Sequence, residues 1–333
     1  MLSRPTSSKS TLVPLLALAL LGLGVLALGT GAVQMGPLEV LQALGGPRDE
    51  THARILYELR LPRILVGAVC GALFAASGAI LQGVVRNPLA SPDLVGVAAG
   101  AGLAAVFTLI LLPWAPAWAL PVGAFGGALL AFGLVYTLAR KAGEVLPIRL
   151  ALIGVAVEAS LDGLRRLILV RADDSIAQAL IFLSGTVYGA DWERLWRVLP
   201  FAASLIPLVL LLHRRLDVLS FGDETAKSLG VRLEPARLVA LALGTALAAV
   251  AVMGVGILGF VGLIAPHAAR LLVGPGFRLL LPTAMLLGAL LVVGADTLGR
   301  GLVPPLEIPA GLLTTLLGAP YFLYLMRKVG RVR

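Results

Sequence analysis

Apolar residues occur in runs of about 20 that recur along the whole chain, separated by short polar stretches. A helix of about 20 apolar residues is long enough to cross the ~30 Å hydrocarbon core of a bilayer. The short alternating segments of a membrane barrel are absent from the sequence. The pattern predicts an all-α, polytopic membrane protein with about ten transmembrane helices, near residues 12–32, 61–83, 93–112, 118–139, 147–170, 194–212, 236–255, 257–272, 279–298 and 308–326.

Two shorter helices are predicted outside these spans, at residues 37–44 and 175–183. Residues 1–11 are predicted to be a polar N-terminal tail. No linker or low-complexity segment interrupts the pattern that follows, so residues 12–330 are predicted to be a single transmembrane domain. Cleavage of residues 1–32 as a signal peptide is disfavoured, because Gly29-Thr30-Gly31-Ala32 is a poor cleavage site.

The composition excludes an ordinary soluble domain, because 59% of the residues are hydrophobic, 14% are charged and the mean hydropathy is +0.96. The net charge of +9 could indicate nucleic-acid binding, but no soluble basic domain is present to bind it. The single cysteine, Cys70, lies in an apolar run, where we expect it to pack. One cysteine allows no disulfide within the chain.

The basic residues predict the orientation in the membrane. If both termini are cytoplasmic, 17 of the 27 Lys and Arg residues lie on the cytoplasmic side. Lys and Arg near span ends are enriched on that side of membrane proteins, so this orientation is favoured. It makes the charged segment at residues 213–235 cytoplasmic.

Within this segment, residues 220–230 carry the pattern of a short helix. Ser220 is in position to cap its N-terminus, and Asp223 and Glu224 favour the positive end of the helix dipole. Gly230 can adopt the left-handed conformation that ends a helix. A helix of about two turns is marginal in water on its own, so it needs a surface to fold against. The alternative interpretation is a solvated loop that joins two spans.

Six segments together resemble the permease family of ABC importers for iron-siderophores, haem and vitamin B12. The resemblance covers roughly residues 12–330, with motif order and chain length in agreement. The segments are Arg60-Leu61-Pro62-Arg63, LQGVVRNPLASPDLVGVAAGAG at 81–102, LSFGDETAKSLGV at 219–231, GILGFVGLIAPHAAR at 256–270, Ala295-Asp296-Thr297-Leu298-Gly299-Arg300, and PPLEIPAGLLTTLLGAPYFLYLM at 304–326.

The resemblance implies a vitamin B12 permease-like fold with ten spans in the inner membrane. It also implies an assembly of two permeases, as a homodimer or with a close paralogue, two cytoplasmic ATPases and a periplasmic or lipid-anchored binding protein. The sequence independently lacks any Gly-Lys dipeptide, and hence the phosphate-binding loop G-x-x-x-x-G-K-[ST]. We therefore expect no ATPase site and no bound cofactor in this chain, with ATP-Mg bound by the partner ATPase.

The resemblance also assigns roles to individual residues. Asp223, Glu224 and Lys227 match the cytoplasmic coupling helix, with Phe221 and Leu229 as apolar contacts and Gly222 and Gly230 shaping its ends. Arg60, Arg63 and Arg300 match arginines that pair with acidic residues of the binding protein. Guanidinium groups suit this role because they bind carboxylates in a bidentate manner. The alternatives are interfacial anchoring and, for Arg300, an internal helical pair with Asp296.

The fifth predicted span departs from the usually apolar pattern of the family, since it contains Glu158, Asp162, Arg165 and Arg166. Asp162 is spaced to pair with both arginines on a helix. Charged residues at membrane depth usually face protein or a water-filled cavity. The cluster is therefore predicted either to line the translocation path or to be paired and inert near the outer interface.

Two proline-containing motifs are interpreted as architectural. Ser91-Pro92-Asp93 predicts a helix start at the inner turn between spans two and three. Pro266 is expected to break its helix, and His267, which has no other ligand type at a suitable spacing, is not expected to bind a metal or haem.

Import of an iron-siderophore is the function that the resemblance favours, with haem or cobalamin as alternative substrates. The residues also leave open an ion-coupled secondary transporter, a protein of another class, with Glu158 and Asp162 as its candidate ion sites. A receptor or structural membrane protein is the third alternative. A faint likeness between GALFAASGAILQGVVRNPLA and GTALAAVAVMGVGILGFVGL further suggests an inverted repeat.

Overall fold

The computed structural model describes residues 7–46, 51–141, 143–171, 175–304 and 306–329. A π-helical turn, Ile55–Arg60, leads into α5, and a 3₁₀ turn, Pro92–Val95, precedes α6. The helices are α1 Ser7–Ser10, α2 Leu12–Gly29, α3 Pro37–Gly45, α4 Thr51–Arg54, α5 Leu61–Val85, α6 Val97–Leu111, α7 Ala119–Ala139, α8 Pro147–Leu169, α9 Ile176–Ser184, α10 Trp192–Leu211, α11 His213–Ser220, α12 Asp223–Ser228, α13 Leu233–Val255, α14 Val261–Val273, α15 Phe277–Leu302 and α16 Ala310–Val329.

Ten of these helices, α2, α5–α8, α10 and α13–α16, lie at the ten positions predicted for spans. Among the residues that the structure describes, six helical segments are long and apolar enough to cross a membrane: α2, the continuous segment Thr51–Val85, α7, α10, α13 and α15. Three further helices contain shorter apolar stretches, Val97–Leu111 in α6, Val261–Val273 in α14 and Ala310–Tyr324 in α16, and α8 carries the charged cluster. The short helices α3 and α9 confirm the two predicted outside the spans.

A two-stranded hairpin that the pattern did not predict joins α7 to α8. Strand β1, Arg140–Lys141, pairs antiparallel with β2, Glu144–Val145, so that Arg140 lies opposite Val145. The hairpin lies at the same end of the bundle as α12, because Lys227 contacts Glu144. It is one of the elements against which the charged segment folds.

Helix α5 lies at the centre of the bundle and is buried along most of its length, packed against α13, α14 and α15. Two glycine contacts bring its backbone close to its neighbours. A Cβ atom on Gly71 would collide with the Gly288 carbonyl of α15, and one on Gly78 would collide with the Gly262 carbonyl of α14. Small residues permit such close helix contacts where apolar burial alone gives little preference in lipid. Cys70 is fully buried on the same helix, as predicted.

The prediction that Pro266 breaks its helix was wrong. Pro266 lies inside α14, which begins only at Val261, after Phe260 in the left-handed conformation (φ 65°). Proline lacks the N–H that would bond to the Gly262 carbonyl four residues earlier. That carbonyl faces α5 at Gly78. Packing by neighbouring helices is what allows proline inside a membrane helix.

The helix start predicted at Ser91 is only partly confirmed. Ser91 does precede a helical turn, but this is the 3₁₀ turn Pro92–Val95, and its hydroxyl donates to the Asp93 carboxylate (3.2 Å) instead of capping the backbone. Gly96 then adopts a left-handed conformation (φ 80°), and α6 begins at Val97. The 3₁₀ turn Pro92–Val95 is therefore separated from α6 by Gly96.

Candidate functional site

The charged segment between α10 and α13 folds as two short helices, α11 and α12. The single helix predicted from Ser220 was therefore wrong at its start. Ser220 ends α11, where its hydroxyl donates to the Asp217 carbonyl (2.7 Å), and Gly222 (φ 113°) precedes α12. At the other end, Gly230 has φ 77°, which confirms its predicted left-handed role.

Helix α12 has only 6 residues, too few to be stable alone, so its neighbours determine its position. Oδ1 of Asp223 accepts a hydrogen bond from Nη2 of Arg237 (2.9 Å) and lies 2.9 Å from Nη2 of Arg86. Arg86 caps the end of α5, and Arg237 lies in the first turns of α13. One carboxylate therefore attaches α12 to two central helices of the bundle.

Arg237 is itself held firmly. Its guanidinium donates to the Val145 carbonyl (2.6 Å) and to Glu234 (2.8 Å), and the side chain is almost fully buried. Glu234 also accepts from the Val145 N–H (3.1 Å). The hairpin, α12 and the start of α13 thus form one hydrogen-bonded unit. Ala226 is the buried contact of α12 within it.

The surface of α12 that faces away from the helix bundle is exposed in this single chain. Phe221 and Leu229, on either side of the helix, are 58% and 60% exposed. Glu224 is exposed and makes no ion pair with any residue that the structure describes, whereas Lys227 makes a loose, exposed contact with Glu144 (3.4 Å). Two apolar side chains beside a free acid form a small surface suited to another protein.

The adjoining helix α11 connects the same unit to α15. Oδ1 of Asp217 accepts from the Phe277 N–H (2.7 Å), one of the unpaired N–H groups at the start of α15. Leu216 and Leu219 of α11 are buried. Because α11 and α12 are bonded to α5, α13 and α15, their movement would act directly on these three helices.

Arg63 and Arg300 form a cluster of ion pairs with Asp296 and Glu307, and Arg60 lies beside Arg300 at the end of α2. Arg63 donates to both carboxylate oxygens of Asp296 (2.6 and 3.1 Å) and lies 2.8 Å from Glu307. The Arg300 guanidinium lies 3.2 Å from Asp296, so the internal helical pair considered from the sequence is present. All three arginine side chains are largely buried.

The same cluster completes the end of α2. Arg60 donates to the carbonyls of Leu28 and Val33, and Arg300 donates to those of Thr30 (3.0 Å) and Ala27 (3.2 Å). The last carbonyls of a helix lack partners within the helix and carry partial negative charge, so cations are favourable there. Structurally, these arginines join α2 to α5 and α15. Their predicted role in docking stays a prediction.

The charged residues of α8 pair as their spacing predicted. Asp162 bonds through one carboxylate oxygen to Arg165 and through the other to Nε of Arg166 (2.7 Å). Arg165 points inward, with its guanidinium against Gly102 of α6, whereas the Arg166 side chain is 77% exposed. Glu158 lies one turn away and is half-buried.

In the described part of the chain, ten helices of span length or composition, with α5 at their centre and a charged segment anchored at one end, define a multi-span α-helical membrane protein. This chain belongs to the FecCD transport family, whose family model matches residues 18–328. The match confirms the resemblance seen in the six segments.

Similar proteins align with most of this chain. The Fe(3+)-citrate import system permease protein YfmE of Bacillus subtilis (strain 168) is 43% identical over 317 residues, which are 95% of each protein. The cobalamin import system permease protein BtuC of Halobacterium salinarum is 42% identical over 278 residues, 84% of this chain and 74% of that one.

A solved structure confirms the fold class. It is described as an inward-facing conformation of a metal-chelate type ABC transporter, and it matches with a TM-score of 0.86 and 30% identity. The match covers 96% of this chain and 99% of that chain.

Proposed function

We propose that this chain is the membrane-spanning permease subunit of an ATP-driven importer for ferric-siderophore or related metal chelates. The observation that carries the proposal is the exposed surface at α12, formed by Phe221, Glu224 and Leu229. Asp223 bonds this short helix to Arg86 at the end of α5 and to Arg237 of α13. A surface attached in this way passes on the motion of a partner that binds it. The names of relatives that import ferric citrate and hydroxamates support this substrate class.

Cobalamin is the second candidate substrate, because the Halobacterium salinarum relative is named for it. Haem stays open as a third. Selection among bulky chelates is expected to rest mainly with the delivery protein.

The proposed assembly has two copies of this chain, or one with a close paralogue, two cytoplasmic ATPases and an outer binding protein. Both termini and α12 face the cytoplasm, in accordance with the distribution of Lys and Arg. ATP-Mg binds to the ATPases, and this chain carries no cofactor. The exposed apolar side chains of α8, among them Leu152 and Leu164, suit contact with the second copy.

The binding protein is proposed to dock at the outer end, near Arg60, Arg63 and Arg300. These side chains are buried, so docking through them requires the cluster to open. Glu307 is its most exposed acid, with 29% of the side chain accessible, and it bonds to Arg63. An acidic residue of the binding protein could therefore replace Glu307 on Arg63 at the least cost.

Reversal of the charge on α12 tests the proposed coupling. We expect Glu224→Arg to weaken binding of the ATPase by about tenfold, equivalent to ~1.4 kcal/mol, because the unpaired acid faces the partner. The affinity is measured by titrating purified ATPase onto the detergent-solubilised chain. Glu193→Arg, at an exposed acid in the first turn of α10, is the matched control and should bind normally. Equal affinities for the two variants would contradict the role of α12.

The paired charges of α8 are proposed to contact water in the translocation path. We expect Asp162→Lys to slow transport by about tenfold, the effect of a ~1.4 kcal/mol higher barrier. Uptake into proteoliposomes measures the rate, and a thermal unfolding scan verifies folding. Arg166→Gln removes only the exposed arm of the pair and should have little effect. Normal transport by well-folded Asp162→Lys would favour the alternative of an inert, paired cluster.

A further inference from the structure

An apolar groove of about 380 Å³ lies between α10, α11 and α13, on the side of the bundle that carries α12. Its volume falls within the range of roughly 300–1,000 Å³ that is typical of ligand pockets. Ile80 of α5 contributes to its wall, together with side chains from the end of α10, from α11 and from the first three turns of α13. These include Val209, Leu216, Leu219, Val239 and Leu243.

Two arginines, Arg215 and Arg232, also line the groove, and both are exposed. Neither forms an ion pair within the described part of the chain, in contrast to nearby Arg86 and Arg237, which share Asp223. An apolar cavity bordered by two unpaired cations is complementary to a ligand with an apolar body and an anionic end.

The position of the groove narrows the class of ligand. It lies at the last turn of α10 and the first turns of α13, where the spans meet the aqueous phase on the cytoplasmic side in the proposed orientation. Basic pockets between membrane helices on this side bind anionic lipid headgroups, and guanidinium groups bind phosphate oxygens well. A soluble phosphate compound would leave the apolar walls unused, and a zwitterionic lipid would gain less from the arginines.

We propose that this groove binds an anionic phospholipid, with part of an acyl chain against the apolar walls and the headgroup phosphate between Arg215 and Arg232. The bound lipid would buttress α11, whose Leu216 and Leu219 form part of the groove, and α11 leads directly into α12. The position of the charged segment at residues 213–235 would therefore depend on the bound lipid. The proposal rests on the membrane orientation proposed above, but not on the identity of the substrate.

Native mass spectrometry of the full chain in detergent tests this site directly. Phosphatidylglycerol and phosphatidylcholine with identical acyl chains are titrated separately onto the protein. We expect tighter retention of phosphatidylglycerol by the wild type, and loss of about tenfold or more of its affinity in the Arg215→Gln/Arg232→Gln variant. Arg214→Gln/Lys141→Gln, which removes two exposed charges outside the groove, is the charge-matched control and should retain the wild-type preference.

A second variant tests the apolar part of the site independently of charge. Val239 is half-exposed at the groove, so Val239→Trp fills space there while both arginines remain. We expect this variant to lose tight phosphatidylglycerol binding as well. Glycerol phosphate should not bind measurably to the wild type. Thermal unfolding of each variant verifies that the fold is intact.

Four results would overturn the proposal. Equal wild-type affinity for the two lipids, or wild-type lipid binding by the double arginine variant, would remove the charge-selective site. Binding of glycerol phosphate as tightly as phosphatidylglycerol would identify a soluble-phosphate site instead. Displacement of phosphatidylglycerol by the ATPase would make the groove a protein interface. The lipid measurements use the chain alone, so their failure is distinguishable from failure of the importer assembly.

Discussion

Replacing Asp296 with asparagine should destabilise the protein by about 3–5 kcal/mol, the cost of breaking a buried ion pair from one side. Asp296 bonds to Arg63 and lies within ion-pair distance of Arg300, and both arginines are buried. Asparagine keeps the shape but leaves Glu307 as the one acid beside Arg63 and Arg300. Thermal unfolding in detergent measures the loss.

The exposed pair Arg54–Glu58 provides the matched control for this experiment. Glu58→Gln removes an ion pair of 3.3 Å, similar in length to that between Asp296 and Arg300 (3.2 Å), but with both side chains largely exposed. Such pairs contribute about 0–1 kcal/mol, so little change is expected. An Asp296→Asn variant as stable as the wild type would show that the cluster does not hold α2, α5 and α15 together.

Replacing Asp223 with alanine should reduce transport by about tenfold or more, since hydrogen bonds to charged groups contribute about 1.5–3 kcal/mol each. Asp223 is the residue through which α12 is bonded to both α5 and α13. Without it, Phe221, Glu224 and Leu229 still face the ATPase, so binding should survive while transmission of its motion is lost. The measurement is the ratio of chelate imported to ATP hydrolysed in proteoliposomes.

Glu144→Ala is the control for the Asp223 variant. It removes the exposed contact with Lys227 (3.4 Å) and leaves the Asp223 anchor intact, so the transport ratio should stay near that of the wild type. If Asp223→Ala imported as much chelate per ATP as the wild type, the anchor would not be part of the coupling.

The spans and the presence of a short helix near Asp223 could be predicted because both depend on local pattern. Length and hydropathy define the spans, and Gly230 marks the end of α12. The start of that helix could not be predicted in the same way. Ser220 fits a capping position by sequence, but the buried Leu216 and Leu219 extend α11 to Ser220, and Gly222 makes the turn instead.

The arginine cluster shows where sequence patterns lose their predictive power. Arg63 and Asp296 are 233 residues apart, so their contact depends on how α5 packs against α15. The spacing of Asp296 and Arg300 did signal the internal pair. No local signal indicated that Arg60 and Arg300 would bond to the carbonyls at the end of α2. The same limit applies to the lipid groove, whose two arginines are separated in sequence but line one cavity.

Uptake of a labelled ferric chelate into proteoliposomes tests the central claim most directly. The vesicles contain this chain with its ATPase, oriented with α12 facing the nucleotide, and the binding protein delivers the chelate from the opposite side. Uptake should require ATP on the α12 side and should persist when ion gradients are collapsed by ionophores. Uptake driven by an ion gradient in vesicles without the ATPase would contradict the account and identify a secondary transporter.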